Sequence, residues 1–219
     1  MKFDDQITNA LIFHEIPKAR LKTMVVAFGG WPDAAEAATK SVDYLTAKLP
    51  ATKFAEIDPE EFYDFTLERP QIKMNPDGDR FLRWPSNNFY YFSPSNDSNG
   101  LLLFNGTEPN FRWKSFSRLM VTVAERCGVE LVVSLGALLV AVPHTRSTKI
   151  TGRADSKALA QKVEWLGVQN SGYEGPTGIH TAFIDACEDK GFAHASIWGH
   201  SPHYVNTSPN PSVSHAILT

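Results

Sequence analysis

Residues Val25–Ala37 read VVAFGGWPDAAEA: an apolar run, two adjacent glycines, then an alanine-rich stretch with helical character. Strand, glycine turn and helix in that order form one step of a layered α/β sheet. They are also the order in which many nucleotide enzymes cradle a phosphate. The turn residues separate the two readings. A Walker loop needs G-x-x-x-x-G-K followed by Ser or Thr, and a dinucleotide turn needs three spaced glycines. This stretch has neither the lysine nor the third glycine. It has instead Asp33, followed three residues later by Glu36, which predicts a capping box with an aspartate cap. Such carboxylates take up the free N–H groups and the positive dipole end that a phosphate would need. Gly29 and Gly30 then serve a sharp turn and a close backbone approach.

Outward from this stretch, short β-like runs alternate with amphipathic segments, which predicts a single layered α/β domain with a mostly parallel central sheet flanked by helices. The expected strands are Asn9 to His14, Met24 to Phe28, Lys53 to Glu56, Asn88 to Phe92, Leu101 to Phe104, Glu130 to Ser134 and Ala193 to Trp198. Those at Met24, Leu101 and Leu131 are apolar on consecutive positions, as strands buried on both faces are. The expected helices are Ala34 to Lys48, Trp113 to Cys127, Ser156 to Leu166 and Gly178 to Lys190. In the second, Phe116, Leu119, Met120, Val123 and Ala124 make one apolar face. Between residues 70 and 99 the chain is rich in Pro, Gly, Asn and Asp, which predicts a surface excursion with a hairpin. At the end, Asn210 as cap and Pro211 at the first helical position open a helix that stops after barely two turns. A helix so short is marginal alone, so the natural chain is expected to continue into a C-terminal helical extension absent from residues 1–219.

Composition narrows the function classes. The net charge of −3 offers no electrostatic footprint for nucleic acid or an anionic membrane. The longest apolar run, Leu131 to Val142, is far short of the ~20 residues that cross a bilayer. Two cysteines, Cys127 and Cys187, lack the spacing of a zinc site or disulfide framework and read as reduced core thiols in a cytoplasmic protein.

In open α/β sheets, ligands bind outside the carboxyl ends of the strands. Four loops therefore stand out: GGWPD after Phe28, NGTEP after Phe104, SLG after Val133 and WGHSPH after Ile197. On parallel strands they would share one rim collecting Trp31, Asp33, Asn105, Glu108, Ser134, Trp198 and His200. The glycine-rich loop Ser171 to Ile179 either is a rigid turn or brings Tyr173 and Glu174 to that rim. Catalytic motifs remain incomplete. Gly199 to His203, GHSPH, resembles a nucleophile elbow, but His203 replaces the last glycine and Pro202 removes the N–H after the serine. His200, His203 and His144 have no H-E-x-x-H pattern or cysteine pair beside them, so structural or solvent-facing histidines are expected in place of a metal site. No cofactor is implied. Trp31, Trp84 and Trp198 fall in loops or at strand ends, where exposed aromatics anchor interfaces.

Several stretches match one family together. AFGGWPDAAEAA, LLLFNGTEPNFRW, VVSLGALLVAVPHTR, YEGPTGI and SIWGHSPHYV followed by NPS resemble, in order, the bacterial branch of the second proteasome assembly chaperone family. The resemblance implies a fold similar to the nucleoside phosphorylases and self-association into small homo-oligomers, a trimer on the phosphorylase analogy. It also implies a non-enzymatic scaffold or assembly factor for another protein assembly. Gly29, Gly30, Trp31, Asp33, Asn105, Glu108, Tyr173, Glu174, Trp198 and His200 are then candidates for its pocket or interface. The rival expectation is a small-ligand binder or enzyme in which Asp33, Glu108, Glu174 and His200 supply acid, base or hydroxyl-binding groups from one shared pocket.

Overall fold

The computed structural model describes residues 9–94, 100–170, 172–205 and 207–219. The acidic N-terminal stretch, residues 95–99 of the Asn/Ser-rich turn and Ser171 lie outside them. The strands are β1 (Leu11–Phe13), β2 (Thr23–Gly29), β3 (Thr52–Ile57), β4 (Gln71–Met74), β5 (Arg80–Arg83), β6 (Asn88–Phe92), β7 (Leu101–Thr107), β8 (Leu131–Val140), β9 (Ile150–Ala154), β10 (Gln169–Asn170) and β11 (Ala193–Pro202). The helices are α1 (Ala37–Lys48), α2 (Trp113–Cys127), α3 (Lys157–Trp165), α4 (Ile179–Glu188) and α5 (Pro211–Leu218).

Nine strands form one mixed sheet in the order β1-β3-β6-β7-β2-β8-β11-β9-β10. Its centre, β7-β2-β8-β11, is parallel. Antiparallel pairings extend it through β6, β3 and β1 on one side and β9 on the other. The apolar run of β2 is explained by its two covered faces. Met24, Val26 and Phe28 join Phe104, α2 and α4 in the larger core. Ala27 joins Leu103, Leu135, α1 and α5 in a second core on the opposite face. In the larger one the Phe28 ring lies 5.2 Å from Phe104 and 6.3 Å from Phe116.

The excursion is a separate hairpin, β4 with β5, and all of its strand residues are exposed. The ends of three strands and the start of one helix differ from the sequence expectation. β7, β8 and β11 run on through Thr107, Val140 and Pro202, so Asn105, Ser134, Trp198 and His200 belong to strands and not to the loops after them. β8 and β11 pair from Leu131 and Ala193 to Val140 and Pro202, well beyond Ala27, where β2 last pairs with β8. There each satisfies the other's backbone, and Gly136 and Gly199, which read as strand breaks, stand in mid-strand. Secondly, α1 begins at Ala37. Ala34–Glu36 form a 3₁₀ turn in which Ala35 and Glu36 take φ of 55° and 53°. Tertiary contacts hold this left-handed kink: the Asn210 amide donates to the Ala35 carbonyl at 3.0 Å, and Ala137 N donates to the Pro32 carbonyl at 2.9 Å.

Candidate functional site

Asp33 is buried just ahead of the kink. Its Oδ1 accepts from the Ala38 amide at 2.6 Å, and its Oδ2 from the Thr39 amide at 3.2 Å and from the Thr39 hydroxyl. It caps α1 from a distance, across the kink. Glu36 stands exposed at the N-cap position and makes no side-chain cap, so the capping box is replaced by this longer-range cap. Burial raises the Asp33 pKa, against the lowering effect of the Thr39 and Ala38 bonds.

Glu108 does the same for α4. The N-cap of α4 is Gly178, which has no side chain to cap with, and Glu108 Oε1 accepts from the Ile179 amide at 2.8 Å. The carboxylate also accepts from the Trp31 amide, and burial raises its pKa. The Glu108 amide donates to the Gly29 carbonyl at 2.8 Å, which ties the ends of β2 and β7 together. A Cβ on Gly178 would stand 2.7 Å from Glu108 Oε1, so only glycine admits the carboxylate. Gly30 takes φ +108°, whereas a Cβ on Gly29 would meet nothing closer than 3.7 Å. Of the two adjacent glycines, Gly30 is the one the turn requires. Trp31 is 62% exposed over this junction.

The other candidates go elsewhere. Asn105 faces α1, donating to the Thr39 carbonyl at 3.2 Å and to Asp43 Oδ1 at 2.6 Å. Trp198 lies on the opposite face, over Gly136, where a Cβ would come within 2.4 Å of the indole. Its ring centroid is 5.0 Å from that of His180. His200 Nε2 bonds the Thr151 hydroxyl at 3.0 Å, and burial, then Lys149, lowers its pKa. Tyr173 is exposed and its hydroxyl donates to the Pro176 carbonyl at 2.9 Å. Glu174 is exposed and has no side-chain partner among the described residues. The structure therefore brings Gly29, Gly30, Trp31 and Glu108 together with the Gly178 end of the Tyr173 loop; the Asp33 amide joins them through the Gly30 carbonyl at 3.1 Å while its carboxylate turns to α1, where Asn105 also bonds, and Trp198 and His200 make their contacts elsewhere. The sheet itself divides Asn105 from Trp198, because alternate strand residues point to opposite faces.

Sequence reasoning did not single out Gly178 and His180. His180 is buried, with its Nε2 2.8 Å from the Leu135 carbonyl, and burial pushes its pKa down to about 4. A histidine directly after the apolar Ile179 on a core-facing helix turn is the one trace it leaves in the sequence. Among the described residues no group of three or more His, Cys, Asp or Glu side chains is placed to hold a metal ion, and no helix is long and apolar enough to cross a membrane.

Residues 27–219 match the model of the PAC2 family. A solved PAC2 family protein of Streptomyces avermitilis is 37% identical, with a TM-score of 0.82 over 90% of this chain and 83% of its own. A proteasome-assembly chaperone homologue of Mycobacterium tuberculosis is 38% identical, with a TM-score of 0.80 over 90% of this chain and 82% of its own. An archaeal proteasome activator of Pyrococcus furiosus, at 16% identity, shares the fold with a TM-score of 0.76 over 95% of this chain and 85% of its own. No curated protein matches the chain.

Proposed function

Because the chain belongs to the PAC2 family, we propose that it is a cytoplasmic, non-enzymatic, assembly-chaperone-like protein that works as a small homo-oligomer. The observation that carries this reading is the bare hairpin β4–β5. Ile72, Met74, Phe81 and Leu82 are 60%, 61%, 50% and 50% exposed there. A two-stranded hairpin is at best marginally stable when nothing covers it, and exposed apolar side chains, here Ile72, Met74 and Leu82 on one face and Phe81 on the other, mark interaction surfaces. A second copy of the chain is the partner always present at matching concentration. The phosphorylase-like architecture favours a trimer, and the name of the M. tuberculosis relative supports assembly of another protein complex as the task.

An enzyme with one acidic pocket finds less support. General acid–base work needs its groups within reach of one reacting centre. Asp33 and Glu108 are each committed to a different helix, and Glu174 and His200 lie on neither.

Light scattering coupled to gel filtration tests the reading. The full chain is expected as a trimer, and the double variant Ile72→Asp, Phe81→Asp as a folded monomer with unchanged far-UV circular dichroism. A wild-type monomer, or an oligomer that the double variant leaves intact, overturns it.

A further inference from the structure

β8 and β11 run parallel and end side by side at Val140 and Pro202, and a cleft of about 830 Å³ opens beyond those ends, against the start of α5. Ligands of open α/β sheets bind outside the carboxyl ends of parallel strands, and the volume is within the range of small-molecule sites. Much of the wall is apolar, from Val142, Pro143, Pro202 and Val213. The segment after β8 closes the cleft and is pinned at two points. The His144 amide donates to the Tyr204 hydroxyl at 2.7 Å, and the His200 amide donates to the Lys149 carbonyl at 3.1 Å. Arg146 stands between the two pins and lines the cleft with Lys149.

Fixed charge in the cleft has one sign. No Asp or Glu among the described residues lines it, and neither the Arg146 nor the Lys149 side chain has an ion-pair or hydrogen-bond partner there. The lysine charge acts inside the cleft: after burial, Lys149 is what lowers the pKa of His200, another lining residue, and no acid offsets it. His200 is thereby kept neutral, with its Nε2 3.0 Å from the Thr151 hydroxyl. Tyr204 supplies the aromatic part of the wall. Its hydroxyl is occupied, accepting from the His144 amide and lying 3.0 Å from His144 Nδ1, so what it adds is ring surface, 49% exposed.

We propose that this cleft binds a small molecule carrying a phosphate monoester on an aromatic body. A phosphate monoester holds close to two negative charges and three acceptor oxygens on one atom. Arg146 and Lys149 lie three residues apart on one pinned segment, with the Ser147 and Thr148 hydroxyls between them as further donors. One such group therefore pairs with both cations, the guanidinium fork fixing its orientation. The aromatic body lies along the proline and valine wall against the Tyr204 ring, where burial of apolar surface adds to affinity. A monocarboxylate would leave one cation unpaired, and inorganic phosphate would leave the apolar wall in water.

The test is calorimetric titration of the full chain with phenyl phosphate, AMP, GMP, CMP and UMP in turn. At least one is expected to bind with a Kd below ~1 mM, and both its dephosphorylated counterpart and inorganic phosphate to bind at least ~10-fold more weakly. Arg146→Gln and Lys149→Gln, at exposed positions, are each expected to weaken binding by ~10-fold or more with the melting temperature unchanged. The proposal fails if none of these esters binds below ~1 mM, if inorganic phosphate or the dephosphorylated body binds as tightly as the ester, or if both variants bind normally.

Discussion

Two acidic residues that read as candidates for chemistry turn out to be helix caps acting through space. Asp33 reaches the second and third amides of α1 across a left-handed kink, and Glu108 reaches the first amide of α4 from the end of another strand. In both cases burial raises the carboxyl pKa while the amides pull it back. The histidine nobody would single out from its neighbours has the larger electrostatic consequence. His180 is held neutral by burial, its pKa falling from 6.5 to about 4. A depressed folded-state pKa means that the native state binds fewer protons than the unfolded chain, so its contribution is complete above pH 6.5 and is lost as pH falls towards 4. That window is worth on the order of 3 kcal/mol. Urea midpoints measured across it are expected to fall with acid in the native protein. In His180→Gln the same acid limb should be flattened, and an unchanged limb would exclude His180 as its source.

At the level of elements, α5 shows how a short helix is held by its surroundings. Asn210 caps it, accepting from the Val213 amide at 3.4 Å, and the Ser214 hydroxyl donates to the Ala37 carbonyl at 2.8 Å. Val213 and Ile217 lie against Gly199, where a Cβ would stand 2.5 Å and 3.0 Å from their side chains. Packing of this kind, more than propensity, stabilises a helix of two turns. Gly199→Val is therefore expected to lift α5 off β11 and destabilise the fold by ~1–3 kcal/mol, as overpacking does. Hydrogen exchange should show α5 amides losing protection while α2 retains it. Equal protection of α5 in the variant would mean that the helix can shift without loss.

Over the whole molecule, the larger of the two cores encloses both cysteines. Cys127 and Cys187 are buried free thiols, with pKa values pushed up by burial to about 11 and about 12. Alkylation at pH 8 is expected to be slow for both in the native chain and fast in urea, tracking global opening, because the thiolate is the reacting species. Rapid native labelling of either would show local opening of α2 or α4. The alternation of consecutive apolar strands with amphipathic helices was enough to read the layered α/β class and the parallel centre, since burial on both faces of a strand writes itself as an unbroken apolar run, and the turn residues between 70 and 99 were enough to read an excursion with a hairpin. The ends of β8 and β11 were not legible, because Gly136 and Gly199 stand in mid-strand, where glycine reads as a break, and the pairing that carries both strands past β2 is tertiary. Nor was the division of the rim. Side-chain type and local spacing determined that Asp33 would sit at a helix start and Glu108 in the loop after a strand. Only the tertiary structure decided what they bond to, because the amides they satisfy belong to a helix beyond a kink in one case and to an element 71 residues away in the other.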